Sequence, residues 1–195
     1  SVDPETVRLN LESYPAIRKA FVAKSFPDTL HIEVYRRTPL ARAFSRDGEG
    51  RVVPLVFDKS GMIYKTGRAV GEIDAPVITG LQFSTIQAGT VLPEKLMPVL
   101  SGLESLRKNS PELYGNISEV RIMRKPSDHF ELMLYPMDRK IPLLVDSSFS
   151  SEQIQYGLLS IDIAERHGYA GSLRYVDLRT GTIVYREKEG EDLAF

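Results

Sequence analysis

The first fifteen residues have the apolar and polar spacing of a short amphipathic helix. Asp3 followed by Pro4 is typical of an N-cap and of the first helical position. Val7 and Leu11 are four residues apart, so a helix places both side chains on one face. Pro15 ends the helix, because the residue before a proline avoids the α region.

Two β-rich runs follow, residues 17–24 and 30–37, on either side of the turn sequence Ser25–Thr29. Within this turn Pro27 presets φ and Asp28 hydrogen-bonds its own backbone, so the sequence predicts a hairpin. The resulting helix–strand–turn–strand unit of about forty residues is too small to bury a core of its own. Such a unit is typical of an adaptor that docks other proteins.

A polar, glycine-rich break at residues 47–50 is the predicted domain boundary. Beyond it, the residues around Asp58–Gly61 have the pattern of a hairpin, and residues 75–80 that of a short strand. Apolar residues between Leu92 and Leu106 recur at steps of three and four. This spacing predicts an amphipathic helix at about residues 93–108.

The remaining pattern predicts further strands, one more helix and a final hairpin. The strands are at 116–125, 130–135 and 140–146, the helix begins at Ser151 and ends before Gly168, and the hairpin strands are 172–178 and 182–187. Strands joined by tight hairpins pair antiparallel, which indicates an α+β fold whose larger region is mixed and mainly antiparallel, with two helices. The predicted divisions are residues 1–46, a β domain at 47–187 and a loose C-terminal tail at 188–195.

The amino-acid composition limits the classes of protein to which this chain could belong. With 42% hydrophobic and 26% charged residues among 195, the chain has the composition of a globular protein. A net charge of −1 disfavours a nucleic-acid binder, and the absence of Cys excludes disulfides and thiol chemistry. The chain begins with Ser1 directly before a helix cap, so we expect a fragment of a longer protein whose upstream part holds a membrane anchor.

Candidate catalytic and metal-binding residues are few. His31, His129 and His167 are too far apart in sequence for a chelating motif, and no Gly-x-Ser-x-Gly elbow is present. The Gly67–Gly71 segment lacks the ending of a phosphate-binding loop. The small basic groups Arg36-Arg37 and Arg121/Arg124-Lys125 are interpreted as solvated faces. The sequence therefore predicts no catalytic residue, no cofactor and no metal.

The last predicted strand has an unusual edge. Thr182–Tyr185 is β-branched and aromatic, whereas exposed sheet edges are normally protected by charge or by proline. Two interpretations follow: another strand or the tail covers this edge, or the edge receives a strand of a partner by β-augmentation.

Four segments share the order and spacing of one family. The first has Tyr14-Pro15, a strand, the Phe26-Pro27 turn, a strand and the exit Pro39-Leu40-Ala41. The others are Leu55–Tyr64, Val77–Leu81 and the Tyr-Val-Asp-Leu-Arg sequence at Tyr175–Arg179. This order resembles the extracytoplasmic region of the FtsQ/DivIB bacterial cell-division proteins. The resemblance implies that residues 1–46 are the second half of a POTRA module, without its first strand and first helix.

The family resemblance also implies a function. It implies a non-enzymatic divisome scaffold that recruits FtsB and FtsL at the septum, with other divisome proteins contacting the POTRA segment. It implies a single-pass protein of the cell (inner) membrane, with this region periplasmic or extracytoplasmic. The implied partner-binding residues are Arg179, Thr180, Gly181, Thr182, Ile183, Val184, Tyr185 and Arg186.

Two other interpretations stay open. A POTRA-containing envelope transport or assembly module that binds extended client peptides would also explain residues 14–42, although not the segments beyond residue 50. An enzyme with an unrecognised site is the third interpretation, and the lone histidines and the missing nucleophile motif argue against it.

Overall fold

The computed structural model describes residues 2–81, 87–125 and 130–188, which form two compact units. Residues 2–73 and 87–97 make up the first unit, and the other described residues make up the second. The predicted α+β class is confirmed. Residues 126–128 between two predicted strands, His129 and most of the predicted tail lie outside the described residues.

The first unit begins with the predicted helix and hairpin. Helix α1 is Pro4–Glu12, and strands β1, Ile17–Ser25, and β2, Thr29–Arg36, pair antiparallel. The Asp3 carboxylate caps the helix by accepting a hydrogen bond from the Thr6 N–H at 3.0 Å. This cap is the local reason why the helix starts where the sequence predicts it.

Three antiparallel strands complete the sheet structure of this unit: β3, Ala41–Arg46, β4, Val52–Phe57, and β5, Ile63–Thr66. The predicted break at residues 47–50 forms the turn between β3 and β4. A buried cluster of Val56, Tyr64 and Val70 packs against Ala16, which comes directly before β1. The hairpin is therefore joined to the following strands by a common core.

An ion pair adds to this core. The Arg37 Nη1 lies 2.7 Å from an Asp58 carboxylate oxygen, and the Arg37 Nε donates to the Pro15 carbonyl at 2.9 Å. Burial raises the pKa of Asp58, but hydrogen bonds from Ser60, Arg37 and the Met62 N–H outweigh it and lower the pKa overall. Asp58 thus ties the residue after β2 to the turn between β4 and β5.

The second unit contains a six-stranded sheet with its strands in chain order, β6 to β11. The strands are β6, Val77–Thr79; β7, Ile117–Arg124; β8, Phe130–Pro136; β9, Leu143–Asp146; β10, Leu173–Asp177; and β11, Val184–Glu187. The helices are α2, Met97–Asn109; α3, Pro111–Gly115; and α4, Ser151–Arg166. The β6–β7 and β9–β10 pairs are parallel, and the other neighbours pair antiparallel.

The positions of the two longer helices, α2 and α4, follow from the parallel pairs. Parallel neighbours need a crossover, and the connections from β6 to β7 and from β9 to β10 contain α2 and α4 respectively. Helix α4 lies so close to the sheet that a Cβ on Gly157 would come within 2.9 Å of Leu143 and 2.7 Å of Leu178. The cross-strand register places Leu134 and Val176 on the same sheet face as Leu143. That face is the core of the second unit.

Several element boundaries differ from the sequence prediction for reasons of backbone chemistry. Strand β9 starts at Leu143 rather than at residue 140, because Pro142 has no N–H to donate to a ladder. A short 3₁₀ turn at Glu94–Leu96 precedes α2, since Pro98 disfavours an α-helical turn ending there. The short helix α3 was not expected, and β11 starts at Val184 rather than at residue 182.

Gly80 gives a test of this sheet. Its φ is +79°, and a Cβ would lie 2.0 Å from the Ile122 carbonyl oxygen of β7. We expect Gly80→Ala to lower the free energy of unfolding by more than about 2 kcal/mol, since backbone strain adds to the clash. Gly168→Ala is the matched control, because its φ is +80° and its Cβ meets nothing within 4 Å. Equal losses for the two variants in urea unfolding would contradict the close approach of residue 80 to β7.

Candidate partner-binding edge

The predicted partner-binding residues form the last hairpin of the second unit. Arg179–Ile183 make the turn after β10, and Val184, Tyr185 and Arg186 lie in β11. Val176 pairs with Tyr185 and Asp177 with Val184, so β11 runs antiparallel to β10. All eight residues therefore lie at one end of the sheet.

Strand β11 is the terminal strand of the sheet order. Its pairing within the described part of the chain is with β10 alone. The side chains of Arg186 and Glu187 are exposed, and those of Val184 and Tyr185 are half-buried. Its outer edge therefore offers N–H and C=O groups that no described strand uses.

Ile183 borders a small depression of about 110 Å³ next to α4. Gln153 and Tyr156 of α4 line the same depression, together with Leu178, Gly181 and Thr182. Tyr156, Leu159 and Ile163 follow one another on α4 at helical spacing, and all three are exposed. This apolar stripe therefore lies on the same helix that lines the depression next to Ile183.

The sequence analysis did not identify this α4 stripe. In the structure Ile154 and Ile161 are buried and Leu158 is half-buried, so these residues lie on the core side of the helix. A second apolar spacing on the same helix was the signal in the sequence that could have revealed the stripe.

Tyr185 contacts the helix side of the hairpin. Its hydroxyl donates a hydrogen bond to the Ser160 carbonyl at 3.1 Å, and its ring meets Tyr169 edge to face at 5.8 Å. These contacts hold β11 against α4. Tyr185 thus has a packing role in the free chain. The aliphatic side chain of Ile183 cannot form such a hydrogen bond.

Arg179 is held by two carboxylates. Its Nε and Nη2 donate to the two oxygens of Asp177 at 2.9 and 2.6 Å, and its Nη1 donates to Glu131 of β8. Asp177 is 2% exposed and also accepts a hydrogen bond from the Arg179 N–H at 3.2 Å. This bidentate pair closes the turn that leads into β11.

Neither a metal-binding cluster nor a membrane-spanning helix is present in the part of the chain that the structure describes. Within residues 2–81, 87–125 and 130–188, no three His, Asp or Glu side chains are grouped so that they could hold a metal ion. The two described histidines, His31 and His167, are both exposed. In the same ranges, no helix has the length and apolarity to cross a bilayer.

The Asp177–Arg179 pair gives a prediction for the pH dependence of stability. Hydrogen bonds from the Arg179 side chain lower the pKa of Asp177 below its ordinary value of 3.8, although burial opposes this. A lowered pKa contributes stability above the ordinary value, and this stability is lost as the pH falls through the folded-state pKa. We expect Asp177→Asn to cost about 2 kcal/mol at pH 7 and to flatten the decline in stability below about pH 4. Parallel pH profiles of the two proteins in urea unfolding would contradict this role.

Comparison with known proteins agrees with the family suggested by the sequence motifs. Residues 1–37 match the FtsQ-type POTRA domain. Over 123 residues, which are 63% of this chain, the sequence is 27% identical to the cell division protein FtsQ of Myxococcus fulvus (strain ATCC BAA-855 / HW-1). The match covers 41% of the length of that relative. Both matches are to FtsQ-type proteins, so this chain is similar to members of the FtsQ/DivIB family.

Proposed function

We propose that this chain is part of a non-enzymatic divisome scaffold that recruits FtsB and FtsL by β-strand addition to the outer edge of β11. The observation that carries the proposal is the position of β11 at the end of the sheet in a chain that is similar to a cell division protein. In strand addition, main-chain hydrogen bonds supply affinity and side-chain pockets supply selectivity.

The surroundings of β11 suit such a partner strand. The backbone edge offers a ladder of at most a few hydrogen bonds, because β11 has only four residues. Selectivity then depends on apolar contacts, which Ile183 and the α4 stripe of Tyr156, Leu159 and Ile163 provide. A partner strand with alternating apolar side chains would place one set of them toward this surface.

The proposal extends to the cellular location. The protein is a single-pass protein of the cell (inner) membrane, anchored through a segment upstream of this chain, and its described units lie on the extracytoplasmic side at the septum. No nucleic acid and no cofactor take part.

A second contact surface is proposed on the POTRA segment for other divisome proteins. Glu12 of α1 accepts a hydrogen bond from the Ala20 N–H of β1 at 3.0 Å, so the helix occupies the edge of β1 at that point. Of the eight residues of β2, all except Leu30 are exposed. Strand β2 is therefore the more accessible of the two strands.

Substitution of Ile183 tests the docking edge. We expect Ile183→Lys to reduce capture of the extracytoplasmic segment of FtsB at least about tenfold, because a charge enters the apolar contact. The melting temperature should change little, since Ile183 is 38% exposed. Tyr185 is less suited to this test, because its contacts with Ser160 and Tyr169 make it part of the fold.

Met137→Lys is the matched control, because Met137 is 68% exposed and directly follows β8, three strands away from β11 in the sheet order. Pulldown and calorimetry on both folded variants measure the two effects. Equal capture by Ile183→Lys, Met137→Lys and the unmodified chain would remove the assignment of this edge. A peptide array that shows equal binding to many unrelated extended sequences would instead favour an envelope transport or assembly module.

A further inference from the structure

The turn between β1 and β2 presents an exposed aromatic ring. Ser25 and Thr29 are the last pair of the β1–β2 ladder, so Phe26, Pro27 and Asp28 form the turn. The Phe26 side chain is 96% exposed. Full burial of a phenylalanine side chain shifts an equilibrium by at least about tenfold. The ring therefore favours an apolar environment that the described part of the chain does not supply.

The start of α1 lies beside this turn. Val2, which directly precedes the Asp3 cap of α1, is 59% exposed. It lines a depression of about 510 Å³ together with Phe26, Pro27 and Leu30. We call these four residues the apolar tip. Apolar side chains from the start of the helix and from the hairpin turn thus meet at one end of the helix–hairpin unit.

The charges around the apolar tip are balanced. Lys24 and Asp28 are the two charged residues among the described residues that line the depression. The nearby Asp3 carboxylate faces the helix, where it accepts hydrogen bonds from the N–H and the hydroxyl of Thr6. One ammonium and one carboxylate complement a zwitterionic lipid headgroup, whose phosphate and amine carry the opposite charges.

The backbone of the turn also suits a partly apolar environment. Unpaired backbone N–H groups are what makes an irregular segment costly in lipid. Pro27 has no N–H, and Ser25 and Thr29 on either side of the turn are paired in the ladder. The turn therefore has one donor fewer to remove from water when the Phe26 ring is buried.

The size of the apolar tip favours a lipid surface over a protein partner. A specific protein interface buries about 800 Å² on each partner and takes about 20–30 residues a side. The four residues of the apolar tip are far fewer, and the residues between them in the hairpin, Lys24, Ser25, Asp28 and Thr29, are polar and exposed. A bilayer interface needs no complementary surface and accepts single aromatic side chains.

We propose that the apolar tip inserts into the extracytoplasmic face of the lipid bilayer, with the Phe26 ring at the level of the headgroups. The inference rests on the proposed function, because that function places this unit beside a membrane through an upstream anchor. Val2 lies at the apolar tip, so a chain that leads to the anchor leaves the unit at this end. The anchor gives the tip a high effective concentration at the bilayer, so burial of one ring is sufficient to hold it there.

Insertion of the apolar tip has a consequence for β2. This strand begins at Thr29, directly after the turn, and ends at Arg36. With the turn held in the bilayer, Arg36 and the end of β2 point away from the membrane. The exposed strand is then directed toward extracytoplasmic proteins rather than toward lipid.

Replacement of Phe26 by tryptophan tests the insertion. The chain contains no Trp, so Phe26→Trp introduces a unique fluorophore. The chain is tethered through an N-terminal hexahistidine tag to vesicles of phosphatidylethanolamine and phosphatidylglycerol that contain a nickel-chelating lipid. We expect the emission to shift to shorter wavelength and to be quenched when the acyl chains are brominated, because indole favours the bilayer interface. The reference is the same vesicle without bromine.

Phe44→Trp is the matched control. Phe44 is a 49% exposed phenylalanine on β3, in the same unit but outside the apolar tip. On the same vesicles its emission should neither shift nor be quenched by the brominated lipid. The absence of a shift in Phe26→Trp, or equal shifts in the two variants, would overturn the insertion.

The same variant distinguishes lipid from protein as the occupant. A shift that grows with chain concentration in the absence of vesicles would overturn the lipid contact, in favour of a contact between protein chains. The tether is artificial, so the vesicle test succeeds or fails whether or not FtsB adds a strand to β11. Capture of FtsB by Ile183→Lys is measured without vesicles, and failure of the apolar tip and failure of the docking edge therefore remain distinguishable.

Discussion

A β-sheet that ends in a single strand leaves one row of backbone N–H and C=O groups without a ladder, and β11 is that strand in the second unit. Strands β7, β8, β9 and β10 of this sheet each pair with a strand on both sides. Strand β11 has four residues and one described neighbour, so its stability depends on contacts outside the ladder. The position and accessibility of the proposed docking edge follow from those contacts.

Two sets of contacts hold the edge strand. The buried Asp177 carboxylate fixes Arg179, which closes the turn before β11. Tyr185 then bonds the Ser160 carbonyl of α4 and packs against Tyr169. Because the turn and the helix-facing side chain are both fixed, the backbone edge is presented in an ordered form. An ordered edge reduces the conformational entropy that a partner strand must overcome on binding.

The first helix and hairpin could be predicted from sequence, because caps, prolines and alternation act locally. Strand β8 likewise alternates between buried and half-buried residues at every position, which is a clear period-two signal. The parallel pairing of β6 with β7 and of β9 with β10 could not be predicted, since it depends on which strands a helix crossover brings together. The proposed docking segment was predicted from its β-branched residues and from the Tyr-Val-Asp-Leu-Arg motif.

The surroundings of that segment could not be read from the sequence in the same way. Arg179 and Glu131 are separated by 48 positions, and only the sheet brings them into contact. Pairing between strands that are distant in sequence, rather than local pattern, assembles this ion pair.

Amide hydrogen exchange of Val184–Glu187, with and without the extracytoplasmic segment of FtsB, tests the central claim most directly. If a partner strand adds to the outer edge of β11, the amides that point away from β10 gain protection on binding, because they enter a ladder. The account predicts strong protection at alternate residues of β11 and little change in β7 and β8 backbone amides, which are already paired. Tight binding of the segment without added protection in β11 would contradict it.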